Sequence, residues 1–193
     1  ILSAQPGSGP VAIDDVMLCQ PALSVGNLVW NDANNNGLKD SGESGLSGLT
    51  VQLFNPGSDN VIGGSVADTQ VGANVTTDVN GAYRFSSISA GNYYVKVTPA
   101  AGHKTGGTPA TTDNNVDNNN DGAQPGGIGT ALFSPIINLA AAGESTTDGD
   151  TDPNSNLTID FGLYPCPTIT VNPATLTDPI QNLAYSTTIT ASG

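Results

Sequence analysis

An oxygen-rich loop between Asp32 and Glu43 has the residue types and spacing best suited to chemistry in this sequence. It fits the pattern D-x-[DN]-x-[DN]-G-x5-E at every defined position, and this pattern is typical of calcium-binding loops. Alternating Asp and Asn side chains supply hard oxygen donors, Gly37 permits the sharp turn, and the closing Glu can offer two oxygens. The predicted calcium ligands are Asp32, Asn34, Asn36, the carbonyl of Leu38, Asp40 and Glu43. The alternative is a polar turn that holds no ion.

The segments on both sides of this loop favour strands. Residues 26–30 before it and residues 49–54 after it are rich in β-branched, aromatic and other apolar side chains. A calcium sensor needs a pair of helices that the ion can open, and none is predicted here. The ion is therefore expected to connect two strands as a structural element. The predicted site has only three carboxylates, those of Asp32, Asp40 and Glu43. This small number predicts weak calcium binding, with a dissociation constant of about 10⁻⁴ to 10⁻³ M.

A second acidic stretch, residues 113–122, repeats the first half of this pattern but lacks the closing acid, because Ile128 occupies that position. A second calcium site would need carboxylates from elsewhere, and an alternating set lies at residues 148–152. The predicted ligands of this second site are Asp117, Asn119, Asp121, Asp148 and Asp150. The alternative is a solvated acidic loop, which the Gly- and Pro-rich residues 124–129 favour.

The charge of the chain excludes several classes of partner. Four Lys and Arg residues stand against 17 Asp and Glu residues, for a formal net charge of −13. This charge would repel nucleic acid phosphates and an anionic membrane surface alike. The sequence also lacks an apolar run of about 18 residues, so direct membrane insertion is not expected. Cations are the natural partners of such a chain.

Two cysteines, Cys19 and Cys166, lie far apart and each has a proline nearby. This is not the spacing of metal ligands. In an oxidising compartment they could form a disulfide with each other or with cysteines of a longer protein. Two unpaired buried thiols are the remaining alternative.

Composition divides the chain into three segments. Residues 1–23 contain a single predicted strand, residues 165–193 contain a linker and two predicted strands, and residues 24–164 are long enough to fold alone. Regular turn signals in the middle segment predict an antiparallel β-sandwich, with a tight hairpin turn at residues 78–81. The predicted strands of this segment are 25–30, 49–54, 61–66, 75–77, 82–86, 93–98, 131–139 and 157–163.

Three motifs of the middle segment resemble the SdrD B-like family, the B repeats of serine-aspartate-repeat bacterial surface adhesins. They are the opening residues 24–32 with the acidic loop that follows, the central residues 77–95, and the closing residues 159–164. The resemblance implies an immunoglobulin-like sandwich of the collagen-adhesin B type, used as a calcium-stiffened stalk module. It implies calcium in both acidic loops. Related domains can carry a Lys–Asn isopeptide bond, but residues 25–30 contain no lysine, so none is expected here.

The flanking segments resemble neighbouring modules of such proteins. Residues 12–16 are similar to the final strand of a jelly-roll domain, and residues 168–176 with residues 185–186 are similar to the start of a bacterial Ig-like repeat. The predicted domains are therefore the end of a preceding β domain at 1–23, an SdrD B-like domain at 24–164, and the first strands of an Ig-like domain at 165–193. The chain is expected to be a piece of a longer extracellular, cell-surface protein.

The favoured function is a calcium-stabilised structural module whose partners are neighbouring domains or neighbouring copies. One alternative is a subunit of an extracellular fibre, assembled by strand addition. A second alternative is a module that binds a glycan or a host protein, and here the adjacent Tyr93 and Tyr94 matter because one of them must face outward. An enzyme is not expected, since His103 is the single histidine and has no recognisable nucleophile context.

Overall fold

The structure, a computed structural model, describes residues 21–147, 150–166, 170–172 and 188–192. All regular secondary structure in these residues is β-strand. These residues contain no helix that is long and apolar enough to cross a membrane. The strands are β1 (Leu23–Asn31), β2 (Thr50–Asn55), β3 (Thr69–Thr76), β4 (Ala82–Ile88), β5 (Gly91–Thr98), β6 (His103–Thr105), β7 (Leu132–Phe133), β8 (Ile137–Leu139), β9 (Ser155–Asn156), β10 (Phe161–Pro165), β11 (Thr170–Asn172) and β12 (Thr190–Ser192).

Two five-stranded sheets form the body of the fold. The first has the order β4-β1-β10-β6 with β9 on β1, and the second has the order β3-β2-β5-β7 with β8 on β5. Alternating apolar residues of both sheets, such as Val29, Leu53, Val95 and Phe161, meet in one buried core. The all-β, two-sheet architecture predicted from the sequence is therefore confirmed.

The first strand pairs antiparallel with β4, as predicted, but the antiparallel prediction is wrong for its other two pairings. β1 runs parallel to β10, with Val29 opposite Phe161, and it also runs parallel to β9. Parallel strands need a long connection, and almost the whole domain separates β1 from β10 in the chain. Side-chain alternation reports which residues face the core and carries no information on strand direction, so the sequence could not reveal this pairing.

At residues 78–81 the predicted turn forms, but the predicted hairpin does not. The turn itself forms, because Gly81 has a φ of 81° and the Asp78 carboxylate accepts hydrogen bonds from the Asn80 and Ala82 N–H groups. The strands on its two sides do not pair with each other, however. β3 pairs with β2 and β4 pairs with β1, so this turn carries the chain from one sheet to the other.

Several predicted strands have different bounds in the structure. Residues 61–66 form turns, since the Asp59 carboxylate binds the Val66 N–H and the loop closes on itself. Pro135 cannot donate a ladder hydrogen bond, and the predicted strand 131–139 is divided there into β7 and β8. Residues 157–160 separate β9 from β10, and β6 is a strand that was not among the predicted strands.

The flanking segments are only partly described. Residues 1–20 lie outside the described residues, and with them the predicted strand of the first segment. In the last segment β11 and β12 pair antiparallel as a two-stranded sheet. Half of the strand predicted at residues 185–190, namely residues 185–187, lies outside the described residues, and the three-domain division stays a prediction.

Candidate metal centres

The first acidic loop, residues 32–43, begins where β1 ends. Asp32 is fully buried, and its carboxylate accepts hydrogen bonds from the Asn36 N–H at 3.0 Å and the Gly37 N–H at 2.8 Å. Gly37 has a φ of 76°, which lets the chain turn sharply around this carboxylate. Glu43 closes the loop, because its two oxygens accept from the Ala33 N–H at 2.8 Å and the Asp40 N–H at 3.0 Å.

The side chains of Asn34, Asn36 and Asp40 converge inside this loop. Both amide groups donate to Asp40 Oδ2, at 2.7 and 2.8 Å, and these two bonds hold the pKa of the Asp40 carboxyl below its usual value. Each amide also carries an oxygen, and rotation of the side chain exchanges that oxygen with the nitrogen. The loop thus brings together the predicted ligand side chains as a set of hard oxygen donors that suits calcium.

Carboxylates alone do not complete such a site. Among the residues that the structure describes, no three His, Cys, Asp or Glu side chains form a group that could hold a metal ion. A calcium ion in the first acidic loop would therefore need the amide oxygens of Asn34 and Asn36 and the Leu38 carbonyl beside its carboxylates. Oxygen ligands of this mixed kind are ordinary for calcium and unsuitable for zinc.

Gly106 and Gly107 cover the first acidic loop, and no pattern in the sequence predicted this contact. The Gly107 N–H donates to Asn35 Oδ1 at 3.0 Å. A Cβ at Gly106 would overlap the Asp32 carboxylate, so only glycine allows this close approach.

The second acidic loop, residues 113–122, lies directly against the first. The Lys39 N–H donates to the Asn118 carbonyl at 2.8 Å, and the Asn120 N–H donates to the Gly37 carbonyl at 2.8 Å. Leu38 and Asn119, each predicted as a ligand of a different ion, form an isolated antiparallel bridge. The two predicted sites are therefore joined through the main chain.

Asp160 lies against the second acidic loop, and the sequence did not identify it as a candidate ligand. It is fully buried just before β10, and its carboxylate accepts from the Leu28 N–H at 2.9 Å and the Asn118 N–H at 2.7 Å. Its own N–H donates to Asp121 Oδ2 at 2.8 Å. The segment around Asp160 alternates like a strand, so only its buried position marks it as a candidate ligand.

Two side-chain oxygens of the second acidic loop are buried without a hydrogen-bond partner among the described residues: Asn119 Oδ1 and Asp121 Oδ1. Burial and the nearby charge of Asp113 raise the pKa of Asp121 to about 7. Burial, followed by the charges of Asp117 and Asp121, raises the pKa of Asp160 well above its usual value. Desolvated carboxylates that repel one another fit a bound cation, which would supply the missing partner for these oxygens.

The structure places the other predicted ligands of the second site differently from one another. Asp117 joins the cluster, where Asp117 Oδ1 accepts from the Asn27 amide at 2.9 Å. Asp150 has its hydrogen bonds with Ser155 and with the Asp152 N–H. Asp148 lies outside the described residues. A contribution from residues 148–152 stays a prediction, whereas Asp160 stands next to Asp121.

A comparison with known protein families matches a region of the chain that contains both acidic loops. The sequence model described as the SdrD B-like domain matches residues 23–135, which is more than half of the chain. This chain belongs to the SdrD B-like domain family. The resemblance recognised in the sequence is confirmed. The matched region of this SdrD B-like domain contains both acidic loops and ends before Asp160.

Related proteins with this SdrD B-like domain come from staphylococci. Serine-aspartate repeat-containing protein D of Staphylococcus aureus (strain Newman) is 29% identical over 153 residues, which is 79% of this chain and 9% of that protein. A protein named fibrinogen-binding protein from Staphylococcus epidermidis is 33% identical over 115 residues, which is 60% of this chain and 9% of that protein. The chain thus spans about a tenth of the length of these relatives. Among solved structures, the shaft pilin SpaA from Lactobacillus rhamnosus GG aligns with a TM-score of 0.42 and 11% identity over 79% of this chain and 53% of the pilin.

The cysteine prediction for this SdrD B-like domain remains open. Cys166 follows β10 and is half-buried, and its N–H donates to the Gly102 carbonyl at 2.8 Å. Cys19 lies outside the described residues, so a disulfide between the two stays a prediction.

Proposed function

We propose that this chain is a calcium-stabilised structural module in the stalk of a secreted, multidomain bacterial surface protein. The observation that carries the proposal is the pair of buried, unpartnered oxygens on Asn119 and Asp121 beside the buried carboxylate of Asp160. Such atoms are costly without a partner. A calcium ion in the second acidic loop would bind them and offset the repulsion among the carboxylates, and a second ion would occupy the first acidic loop.

Calcium at these two sites would fasten the strands that open and close the domain. The first acidic loop continues from β1, Asp160 immediately precedes β10, and β1 pairs with β10. The second acidic loop contacts both, through Lys39 and through the Asn118 N–H bond to Asp160. Ordering these loops would restrict the chain where its polar connections are longest, which is a mechanical role and not a signalling one.

The setting of the module follows from its family. Membership among SdrD B-like domains supports an extracellular location at a bacterial surface, with neighbouring domains as the main partners. We propose no catalytic role. Assembly into a fibre by strand addition stays a prediction, since residues 11–18, where the sequence predicts the strand of the first segment, lie outside the described residues.

Calcium is expected to raise the melting temperature of the isolated chain. For free calcium at one hundred times the dissociation constant, each occupied site adds about 2.7 kcal/mol to the free energy of unfolding. The melting temperature and the rate of cleavage by a nonspecific protease are compared in excess chelator and in calcium, with magnesium as the ionic control. We expect the loops around Asp40 and Asp121 to become protected from cleavage only in calcium.

Matched variants assign this effect to the sites. Asp40→Asn removes a carboxylate from the first acidic loop and is expected to reduce the calcium-dependent gain. Asp78→Asn removes an equal charge from a surface turn outside both loops and is expected to keep the full gain. Equal melting temperatures in chelator and in calcium would end the proposal.

A further inference from the structure

A cavity of about 720 Å³ lies on the outer face of the second sheet, next to the residues that precede and follow the second acidic loop. Tyr93 points into the sandwich core, so the adjacent Tyr94 points to the opposite face of β5, where it stacks on Phe54 with ring centroids 5.3 Å apart. Phe133 of β7 approaches Tyr94 on this face at 6.1 Å. The rings of Tyr94 and Phe133 supply much of the apolar lining, together with three prolines, Pro109, Pro125 and Pro135. We call this space the aromatic cavity.

One carboxylate lines the aromatic cavity. Asp68 Oδ2 accepts hydrogen bonds from the Tyr94 hydroxyl at 2.7 Å and from the Gly63 N–H at 2.9 Å. Asp68 Oδ1 is buried and has no hydrogen-bond partner among the described residues. The acid is thus held by two neutral donors, and part of its charge is withdrawn from water without compensation.

We propose that the aromatic cavity binds an arginine or lysine side chain from a basic segment of another protein. Such a side chain has an apolar stem and a cationic end, and the cavity has apolar walls and one incompletely paired carboxylate. A guanidinium group also stacks well on aromatic rings. A sugar would need many hydrogen-bonding groups, and the polar side chains of the lining are few: Asp68, Thr111, Gln124 and Ser134.

Charge favours a partner of this kind. The net charge of −13 would attract basic segments over distances beyond direct contact. The outer face already holds a cation within the chain, because Lys96 Nζ lies 5.7 Å from the centre of the Phe54 ring. This contact lies beside the cavity and not in its lining, so the cavity itself is left for a second cation.

A second copy of this chain is a poor source of the cation. The chain has only four basic residues apart from its histidine, and each already has a contact within the molecule. Lys39 donates to the Glu43 carbonyl, Arg84 donates to Ser24 Oγ, Lys96 lies over Phe54, and Lys104 lies over Tyr164. The proposed partner is therefore a different protein, and the proposal does not depend on calcium.

A pair of short peptides tests the proposal on the unaltered chain. The probes are acetyl-Ala-Arg-Ala-amide and the same peptide with citrulline, a nearly isosteric uncharged residue, in place of arginine. Amide chemical shifts of the ¹⁵N-labelled chain are followed during titration in calcium-containing buffer. We expect saturable shifts at Asp68, Tyr94, Gln124 and Ser134 with the arginine peptide, at a dissociation constant of about 1 mM. The citrulline peptide is expected to bind about tenfold more weakly.

Variants locate the charge that matters. Asp68→Asn keeps an oxygen acceptor for the Tyr94 hydroxyl, removes the negative charge, and is expected to weaken the arginine peptide about tenfold. Asp78→Asn removes the same charge elsewhere, also at a carboxylate that accepts main-chain N–H groups, and is expected to change binding less than about twofold.

Three results would overturn the proposal. They are equal binding of the two peptides, undiminished binding to a folded Asp68→Asn chain, and shifts at these residues with maltotriose but not with the arginine peptide. The first two would make the cavity a purely apolar or unrelated surface, and the third would make it a carbohydrate site. If Asp68→Asn fails to fold, the comparison of the two peptides on the unaltered chain still decides.

Discussion

Replacing Asp121 by asparagine is expected to raise the stability of the calcium-free chain and, at the same time, to remove most of the stabilisation by calcium at the second site. Without an ion, Asp121 Oδ1 is buried and unpartnered, and the carboxylate is repelled by Asp113 and Asp160. An asparagine keeps an oxygen for the Asp160 N–H and removes the charge. The ion-free chain should gain on the order of 2–4 kcal/mol at pH 8, and its melting temperature should rise by about 5–10 °C.

The raised pKa of Asp121 explains why the stability of the calcium-free chain should depend on pH and why Asp121→Asn should increase it. The pKa of Asp121 is raised to about 7 in the folded chain from a usual value of 3.8, so the folded state holds the proton more tightly than the unfolded state. Its favourable contribution is complete below pH 3.8 and is lost as the pH rises through about 7. Asp160, whose pKa is raised for the same reason, adds to the same slope. The calcium-free chain should therefore lose stability between pH 4 and pH 8, and Asp121→Asn should flatten this loss.

Urea denaturation in chelator and in calcium, at several pH values, measures both effects. Asp78→Asn is the matched control, because it changes the net charge equally at an exposed turn. A calcium-free Asp121→Asn chain that is less stable than the parent at pH 8 would show that the carboxylate is held by favourable contacts and not by an absent cation.

Gly106→Ala is expected to weaken calcium binding in the first acidic loop by about tenfold or more and to destabilise the fold by about 1–3 kcal/mol. The new methyl group would overlap the Asp32 carboxylate. Asp32 cannot retreat easily, because it is fully buried and bound to two N–H groups of its own loop. Gly106 is equally constrained, since its N–H donates to the Gly162 carbonyl at 2.8 Å and its carbonyl accepts from the Asn120 amide.

Gly126→Ala is the control for this substitution. The three heavy atoms nearest to a Cβ at Gly126 all belong to the side chain of Thr130, and none of them belongs to a backbone or a carboxylate. Calorimetric titration with calcium compares the two variants with the parent chain. Normal calcium affinity in a folded Gly106→Ala chain would mean that Asp32 is not a ligand.

The two candidate metal centres were predictable from the sequence to different extents. All ligands predicted for the first acidic loop lie within a few residues of one another, so their spacing alone suggests a site. The second centre depends on Asp160, whose N–H donates to Asp121 Oδ2 at 2.8 Å from a position 39 residues further along the chain. No local pattern reports a contact between residues that are so far apart in the chain.

Similar reasoning explains which parts of the fold the sequence revealed. The sequence predicted strands that overlap β2, β4 and β5, because burial of one face of a strand favours a period of two. It misidentified residues 61–66 as a strand, since apolar residues of a loop that covers an aromatic face satisfy the same pattern. The sequence predicted that one of Tyr93 and Tyr94 faces away from the core, without indicating which. It is Tyr94, and its burial depends on loops that cover it from distant parts of the chain.

The parallel pairing of β1 with β10 determines how tension would pass through this module. The chain enters β1 at Leu23 and leaves β10 at Pro165, and these two points lie at opposite ends of the paired strands. A force that draws them apart slides the strands past each other. Such a force loads the hydrogen bonds between the two strands in shear. The bonds bear the force together and do not break one after another.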